Sequence, residues 1–205
     1  MIISVTNRLL CKGNFLERIE QIAKARPHSI ILREKDLPAG EYEKLAAQCL
    51  EICSMYNVPL VINSYIEVAR KLKIPDIHLP AELFRRHHDE LRSFENTGVS
   101  VHSVEEAVCA ERLGACYLIA GHIFQTDCKK GVPPRGLDFL RQICDAVSIP
   151  VAAIGGIAQF NAGDVLQVGA NGICTMSQLM VCEEPGEAIA NYKMLFIDNK
   201  MGNKS

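Results

Sequence analysis

The sequence predicts an α/β fold, a single (β/α)8 TIM barrel over residues 1–205. The first observation is that short apolar runs alternate with amphipathic segments at a spacing of roughly 25 residues, as βα units require. The second is that eight such units occur, and 205 residues is at the small end of the range for this barrel. The third is that no linker or low-complexity segment divides the chain, so we expect one domain with a frayed polar tail from Lys200 to Ser205.

The turn after the first apolar run argues against a doubly wound sheet, which is the alternative α/β fold. That fold usually has fewer strands and a glycine-rich turn after the first strand. Here the turn is Asn7-Arg8-Leu9-Leu10, and no G-x-G-x-x-G motif occurs in the chain. The barrel is therefore the better prediction.

Eight apolar, mostly β-branched runs are bounded by glycine, proline or polar residues, which is typical of buried strands. We predict strands at 2–6, 29–32, 59–63, 76–79, 98–102, 115–120, 148–154 and 172–176. Between them apolar residues recur with a helical period, and Asn14 and Ser103 are suitable N-caps. We predict helices near 15–26, 40–56, 66–72, 81–92, 104–112, 137–143, 160–168 and 185–195.

The composition excludes several classes of function. The chain is 48% hydrophobic with a net charge of −2, so it has apolar mass for a large core and no basic stripe that would indicate nucleic-acid binding. No apolar run approaches the roughly 18 residues of a membrane span, and the start, Met1–Thr6, lacks the basic region of a signal peptide. Nine cysteines without a Cys-x-x-Cys pair, mostly in apolar contexts such as Cys116 and Cys174, indicate buried thiols in a reducing cytoplasm.

The sixth predicted strand opens into the most informative loop of the chain. After the apolar run 115–120 the strand passes Gly121 and is predicted to end on His122, and a polar segment with Thr126, Asp127 and Lys129 comes next. A titratable residue at the point where a buried parallel strand opens into a loop is typical of α/β active sites. A neutral imidazole can both take and return a proton near pH 7. His122 is therefore the predicted catalytic residue.

Further polar residues are predicted at the carboxyl ends of the strands, which meet at one mouth in this fold. Period-two alternation places Arg33 and Lys35 on the same side of their segment, where they suit an anionic group. A solvated surface loop is the alternative for this charged stretch. The predicted substrate-binding residues are Arg33, Lys35, Asn63, Ser100, His102, Lys129, Gly155, Gly156, Met176 and Ser177.

Two neighbouring loops are suited to a phosphate. Gly155-Gly156 follows the seventh predicted strand, and Met176-Ser177 ends the eighth. Barrels commonly hold a phosphate between these two loops, on backbone N–H groups that glycine leaves accessible. A tight turn without a ligand is the alternative. We therefore predict a small phosphorylated ligand.

The acidic residues do not indicate a metal site. Glu34, Asp76, Glu82 and Asp127 are single and scattered, whereas a divalent ion needs several oxygen ligands together. We therefore expect neither a metal nor a cofactor, and a proton transfer by His122 fits this site better than metal-assisted chemistry.

Three other side chains have simpler interpretations. His78 and His102 are predicted to be rim residues of the core, each with a satisfied hydrogen bond. Cys128 lies in the polar loop and is the one thiol placed to react.

Several short segments have a distinctive joint order and spacing. They are Leu32-Arg33-Glu34-Lys35, Val61-Ile62-Asn63, Ile77-His78-Leu79, Gly98-Val99-Ser100-Val101-His102-Ser103, Gly121-x-Ile123-Phe124-x-Thr126, Lys129, Gly136-Leu137, Ile154-Gly155-Gly156-Ile157 and the run that begins at Gly172. Together they resemble the thiamine phosphate synthases and their TenI-type relatives, the thiazole tautomerases. The resemblance runs nearly end to end and implies a (β/α)8 barrel.

Departures from the synthase pattern separate the two branches. The resemblance implies that a synthase joins a pyrimidine diphosphate to a thiazole phosphate with Mg²⁺, for which it has an Asn-Asp pair after strand three and an acidic residue after strand four. Here the first position is Asn63-Ser64, and the second leaves only Glu82 as a substitute. The Gly-Pro of the synthases is Gly121-His122, a form that resembles the tautomerases.

The resemblance thus implies an isomerase, a thiazole tautomerase of thiamine biosynthesis in the cytoplasm. It implies that His122 moves a proton in a phosphorylated thiazole carboxylate by a 1,3-shift that yields the aromatic ring, without a metal. It also implies a homo-oligomer. Two alternatives stay open, a Mg²⁺-dependent thiamine phosphate synthase and a non-catalytic regulator that binds a thiamine-related phosphate.

Overall fold

Within residues 1–202, which the computed structural model describes, eight parallel strands close into a barrel in sequence order. Each strand pairs with its neighbour along the chain, and the first pairs with the last through Ser4 and Thr175. The strands are β1 Ile2–Val5, β2 Ser29–Leu32, β3 Leu60–Asn63, β4 Asp76–Pro80, β5 Asn96–Val101, β6 Tyr117–Gly121, β7 Val151–Ile154 and β8 Gly172–Thr175. The predicted (β/α)8 fold is confirmed.

A helix follows each strand and covers the outside of the barrel. The helices are α1 Phe15–Lys24, α2 Ala39–Met55, α3 Ile66–Lys71, α4 Ala81–His87, α5 Val104–Arg112, α6 Gly136–Ala146, α7 Ala162–Gln167, α8 Ser177–Val181 and α9 Pro185–Gly202. Both predicted N-caps are confirmed, because the Asn14 side chain accepts from the first turn of α1 and the Ser103 hydroxyl accepts from Glu106 N in α5.

Most predicted limits shift by one to three residues, and the following differences are the most consequential. The helix predicted over 81–92 ends at His87, and a separate 3-10 turn follows at Glu90–Ser93. β6 ends at Gly121, so His122 lies in the loop. The short helix α8 was not predicted, and α9, predicted over 185–195, continues to Gly202. Fraying of the tail stays a prediction. Residues 203–205, the rest of that tail, lie outside the described residues.

Alternation along the strands sorts the apolar side chains into two layers. One layer lies between the barrel and the helices and includes Ile30, Leu32 and Ile62. The other fills the barrel and consists of Ile3, Val5, Ile31, Val61, Ile119, Ala152 and Cys174. Each fully buried branched side chain contributes about 1.5–3 kcal/mol. The inner layer closes the floor beneath the carboxyl ends of the strands.

The cysteines are less uniformly buried than the sequence predicts. All nine are free thiols. Cys174 is buried inside the barrel, as expected, but Cys116 is exposed. In the part of the chain that the structure describes, no helix is long and apolar enough to cross a membrane.

Candidate active site

The carboxyl ends of the strands surround a cavity of about 290 Å³, which we call the mouth. His122 and all ten predicted substrate-binding residues line it. They meet there because inward-facing positions at the ends of parallel strands converge in this fold. The structure thus confirms that these side chains are neighbours, whereas their roles remain predictions.

Three cations face the mouth from two elements. Arg33 and Lys35 follow β2, and Lys129 comes from the loop after β6. The positive charge of Arg33, then burial and the charge of Lys129, lower the pKa of Lys35 from its ordinary value. Burial lowers the pKa of the half-buried Arg33, which nevertheless stays charged at neutral pH. These repulsions show a positive potential that an anionic ligand would relieve.

The charged stretch after β2 is more ordered than a solvated loop. Glu34 is only 2% exposed and accepts hydrogen bonds from the Thr6 hydroxyl at 2.6 Å and from Arg8 N at 3.0 and 3.1 Å. Thr6 Oγ1 in turn accepts from Arg33 N at 2.9 Å. Asp36 pairs with the Arg8 guanidinium on the outside. Two anchored carboxylates therefore leave Arg33 and Lys35 directed to the mouth.

The glycine pair after β7 presents bare backbone to the mouth. Gly155 and Gly156 have φ values of +102° and +63°, which favour glycine. A Cβ at Gly155 would collide with His122, and one at Gly156 would collide with the Gln125 carbonyl. Within the described residues no hydrogen bond occupies the N–H of either glycine. Met176 and Ser177 line the cavity beside them.

His122 is 5% exposed and lies between the glycine pair and the loop after β6. Its Nε2 lies 3.2 Å from the Val132 carbonyl, which accepts only, so Nε2 carries a proton and donates. Arg135 N also donates to the His122 carbonyl at 3.0 Å. His122 therefore ties this loop at two points, with its imidazole at Val132 and with its backbone carbonyl at Arg135.

Asn63 and His102 reach the mouth but also tie strands together. The Asn63 amide donates to the His78 carbonyl and to the Ser64 hydroxyl, both at 2.9 Å. His102 Nδ1 lies 2.8 Å from the Gly121 carbonyl, so it donates and joins the ends of β5 and β6. The satisfied hydrogen bond predicted for His102 is confirmed.

His78 is deeper than the predicted rim position. Its side chain is inside the barrel and 4% exposed, and its Nε2 lies 2.7 Å from Ser100 Oγ. Its Nδ1 is buried and has no hydrogen-bond partner among the described residues. Burial, with a smaller contribution from the charge of Arg33, lowers the pKa of His78 to about 3. The ring is therefore neutral at physiological pH.

Four further polar residues line the mouth that sequence reasoning did not place in the site. They are Thr126, Cys128, Thr175 and Gln178. Thr126 and Cys128 lie in the same loop as Lys129 and within three positions of it, so the prediction of Lys129 could have included them. Gln178 begins the unpredicted helix α8, and no sequence feature marked it.

The comparisons with known proteins agree on one family. The family model described as thiamine monophosphate synthase matches residues 2–179. The chain is 33% identical over 190 residues to a thiamine-phosphate synthase of Clostridium tetani, and the match covers 90% of each protein. It is 35% identical over 186 residues to thiamine-phosphate synthase 2 of Streptococcus pneumoniae, covering 88% of this chain and 87% of the relative.

A solved structure supports the same relationship. Thiamine phosphate pyrophosphorylase from Pyrococcus furiosus superposes with a TM-score of 0.83 at 28% identity, over 96% of this chain and 95% of that one. The clostridial and streptococcal relatives are named as synthases, which are transferases. The predicted isomerase class is therefore wrong, since the names support the synthase alternative.

The match of the family model to most of the chain and the identities above 30% over nearly its full length settle the relationship. The chain belongs to the thiamine monophosphate synthase family.

Proposed function

We propose that this chain performs the transfer for which its relatives are named, on a phosphorylated thiazole. A carbon–nitrogen bond forms between the thiazole nitrogen and the carbon atom of the pyrimidine substrate that bears the diphosphate. The carbon–oxygen bond to the diphosphate breaks, and its electron pair leaves with the diphosphate. The observation that supports this most is that one mouth combines a glycine cradle with three cations, in a chain of this family.

The glycine side suits the monophosphate of the thiazole. Gly155 and Gly156 line the cavity, no hydrogen bond occupies their N–H groups within the described residues, and Ser177 also lines it with its hydroxyl-bearing side chain. Phosphate oxygens accept readily from such donors, and glycine lets them approach closely. The thiazole phosphate is therefore anchored where its ring reaches the centre of the mouth.

The cation side suits the diphosphate. Charge develops on the diphosphate as its bond to carbon breaks, and cations already in place stabilise that charge without reorganising. Arg33 presents a planar fork to phosphate oxygens, whereas Lys35 and Lys129 act as point charges. Among residues 1–197, whose side chains are described, no Asp or Glu lines the mouth to compete for these cations.

The side chains of this mouth do not fit Mg²⁺, the metal that the family resemblance implies. Within the described residues no group of three or more His, Cys, Asp or Glu side chains could hold a metal ion. Glu82, the possible substitute ligand, bonds instead to Arg85 and Arg86 on the surface of α4. Ser64 stands where the resemblance expects an aspartate, and its hydroxyl accepts from Asn63. No step of the proposed transfer is therefore assigned to a metal.

His122 has a positioning role in this proposal. Its hydrogen bond to the Val132 carbonyl fixes the loop of Lys129 over the mouth. Its contact with Gly155 also sets the distance between that loop and the glycine cradle.

The test is release of diphosphate from the two substrates, with thiamine phosphate formed in equal amount. Lys129→Gln is expected to lower the rate by about 10- to 100-fold, since hydrogen bonds to charged groups contribute about 1.5–3 kcal/mol. Lys130→Gln is the matched control, because Lys130 is exposed, pairs with Asp127 and does not line the mouth. Wild-type rates are expected in that variant.

Two results would contradict the proposal. One is no release of diphosphate by the wild-type protein at any concentration of divalent ion. The other is rearrangement of a thiazole phosphate carboxylate to its aromatic tautomer with no transfer when the pyrimidine diphosphate is supplied.

A further inference from the structure

His78 and Ser100 form a hydrogen-bonded pair on adjacent strands beneath the cations. His78 is in β4, Ser100 is in β5, and the two side chains meet at 2.7 Å. Both residues line the mouth, but the His78 side chain is buried, whereas Ser100 is half-buried. The direction of the hydrogen bond between them decides what Ser100 offers to a ligand.

The unpartnered His78 Nδ1 distinguishes the two neutral tautomers. If Nδ1 carried the proton, a buried N–H would have no acceptor among the described residues. If Nε2 carries the proton, the unpartnered Nδ1 is an acceptor with a lone pair and no proton. Buried donors without partners are rarer in native proteins than under-satisfied acceptors. The contacts of the ring therefore favour the tautomer with the proton on Nε2.

Tyr117 packs against the His78 ring. Its ring lies in the barrel with its centroid 5.6 Å from that of His78, and it packs over Gly98, where a Cβ would collide with it. The Tyr117 hydroxyl is buried and has no partner within the described part of the chain. No hydrogen bond joins it to His78, and since a phenolic hydroxyl both donates and accepts, Tyr117 does not distinguish the two tautomers.

We propose that His78 is a positioning residue whose Nε2–H, by donating to Ser100 Oγ, leaves the Ser100 hydroxyl proton free to donate to an anion in the mouth. The opposite tautomer would make Ser100 donate to His78 and present only lone pairs to the ligand. Lone pairs would repel an anion, whereas a donor adds to the field of the cations. The proposal rests on the proposed function only in requiring an anionic ligand.

The tautomer can be measured in the free protein. ¹⁵N-histidine NMR, with the His78 signals assigned by their loss in His78→Gln, distinguishes a protonated from an unprotonated ring nitrogen. We expect Nε2 protonated and Nδ1 unprotonated at pH 7. The reverse pattern, or a doubly protonated ring, would overturn the proposal whatever the protein catalyses.

A pair of amide variants tests the consequence for binding. Gln places an N–H near the position of Nε2, whereas Asn places one near the position of Nδ1. Inorganic diphosphate, titrated by calorimetry, is expected to bind His78→Gln within about 3-fold of wild type and His78→Asn about 10-fold more weakly. Ser100→Ala is expected to lose as much as His78→Asn, and the double variant to lose no more than either.

Ser4→Ala is the control for a merely structural effect. Ser4 also carries a buried, unpartnered hydroxyl on a barrel strand, but it does not line the mouth. Its affinity for diphosphate should equal that of wild type. Equal affinities for His78→Gln and His78→Asn would overturn the positioning role. Absence of transfer with this binding pattern intact would instead overturn only the proposed function.

Discussion

The β7 side of the mouth presents backbone from Gly155 and Gly156, whereas the β2 side presents the long side chains of Arg33 and Lys35. The backbone of the first side is fixed by its own strand and by contact with His122. The second side depends on Glu34, whose donors come from residues 26 to 28 positions away. A rigid cradle suits one phosphate in one place, and flexible cations suit a group whose charge changes during reaction.

Of the variants that test this difference, Gly155→Ala should have the largest effect, because it alters the fixed backbone of the glycine side. The new Cβ would meet His122 at a φ of +102°. Backbone strain of about 1–3 kcal/mol and overpacking of about 1–3 kcal/mol are expected together. Denaturant unfolding should show a loss of about 2–6 kcal/mol, with loss of thiazole phosphate binding.

Gly163→Ala in α7 is the matched control for that loss. Its Cβ would meet nothing within 4 Å. Its stability should change by no more than about 1 kcal/mol, in the stabilising direction. A similar loss of stability in both variants would show that the glycine cradle is not the constrained element.

A smaller effect is expected on the side of Arg33 and Lys35, where the affinity for diphosphate should depend on pH. Arg33, burial and Lys129 lower the pKa of Lys35 in the free site, and a bound anion raises it. Binding therefore takes up a proton, so affinity falls as pH rises from the free-site pKa of Lys35 to its pKa in the complex. The loss should be about 1.5- to 5-fold, as for exposed ion pairs.

Lys35→Gln removes this component and leaves the titration of diphosphate itself unchanged. Calorimetric affinities of the two proteins across the alkaline range should therefore converge as pH rises. A constant ratio of affinities at every pH would show that Lys35 does not change its protonation on binding.

The fold was largely predictable because its signals are local. The apolar runs and the caps at Asn14 and Ser103 lie within single βα units, and the helix over Val104–Arg112 has the predicted limits. Helix α8 was missed because five residues are too few to show a helical period. The break after His87 was missed because no glycine or proline marks it.

The composition of the mouth was predictable, but its hydrogen bonds were not. Strand ends converge in a barrel whatever their sequence, so Arg33, Ser100 and Lys129 could be placed together. The pairing of His78 with Ser100 joins residues 22 positions apart, and alternation alone does not fix which side chain lies opposite which. The isomerase prediction failed for a related reason, since a histidine beside a strand end does not specify its reaction.

The proposed transfer requires two anions in the mouth at the same time, one on each side. The most direct measurement is calorimetric titration of inorganic diphosphate into protein already saturated with thiazole phosphate. We expect diphosphate to bind one to one, with an affinity within about 3-fold of that for the free protein, a difference of less than 1 kcal/mol. An apparent dissociation constant that rises in proportion to the thiazole phosphate concentration would show a single shared site and contradict the two-anion mouth.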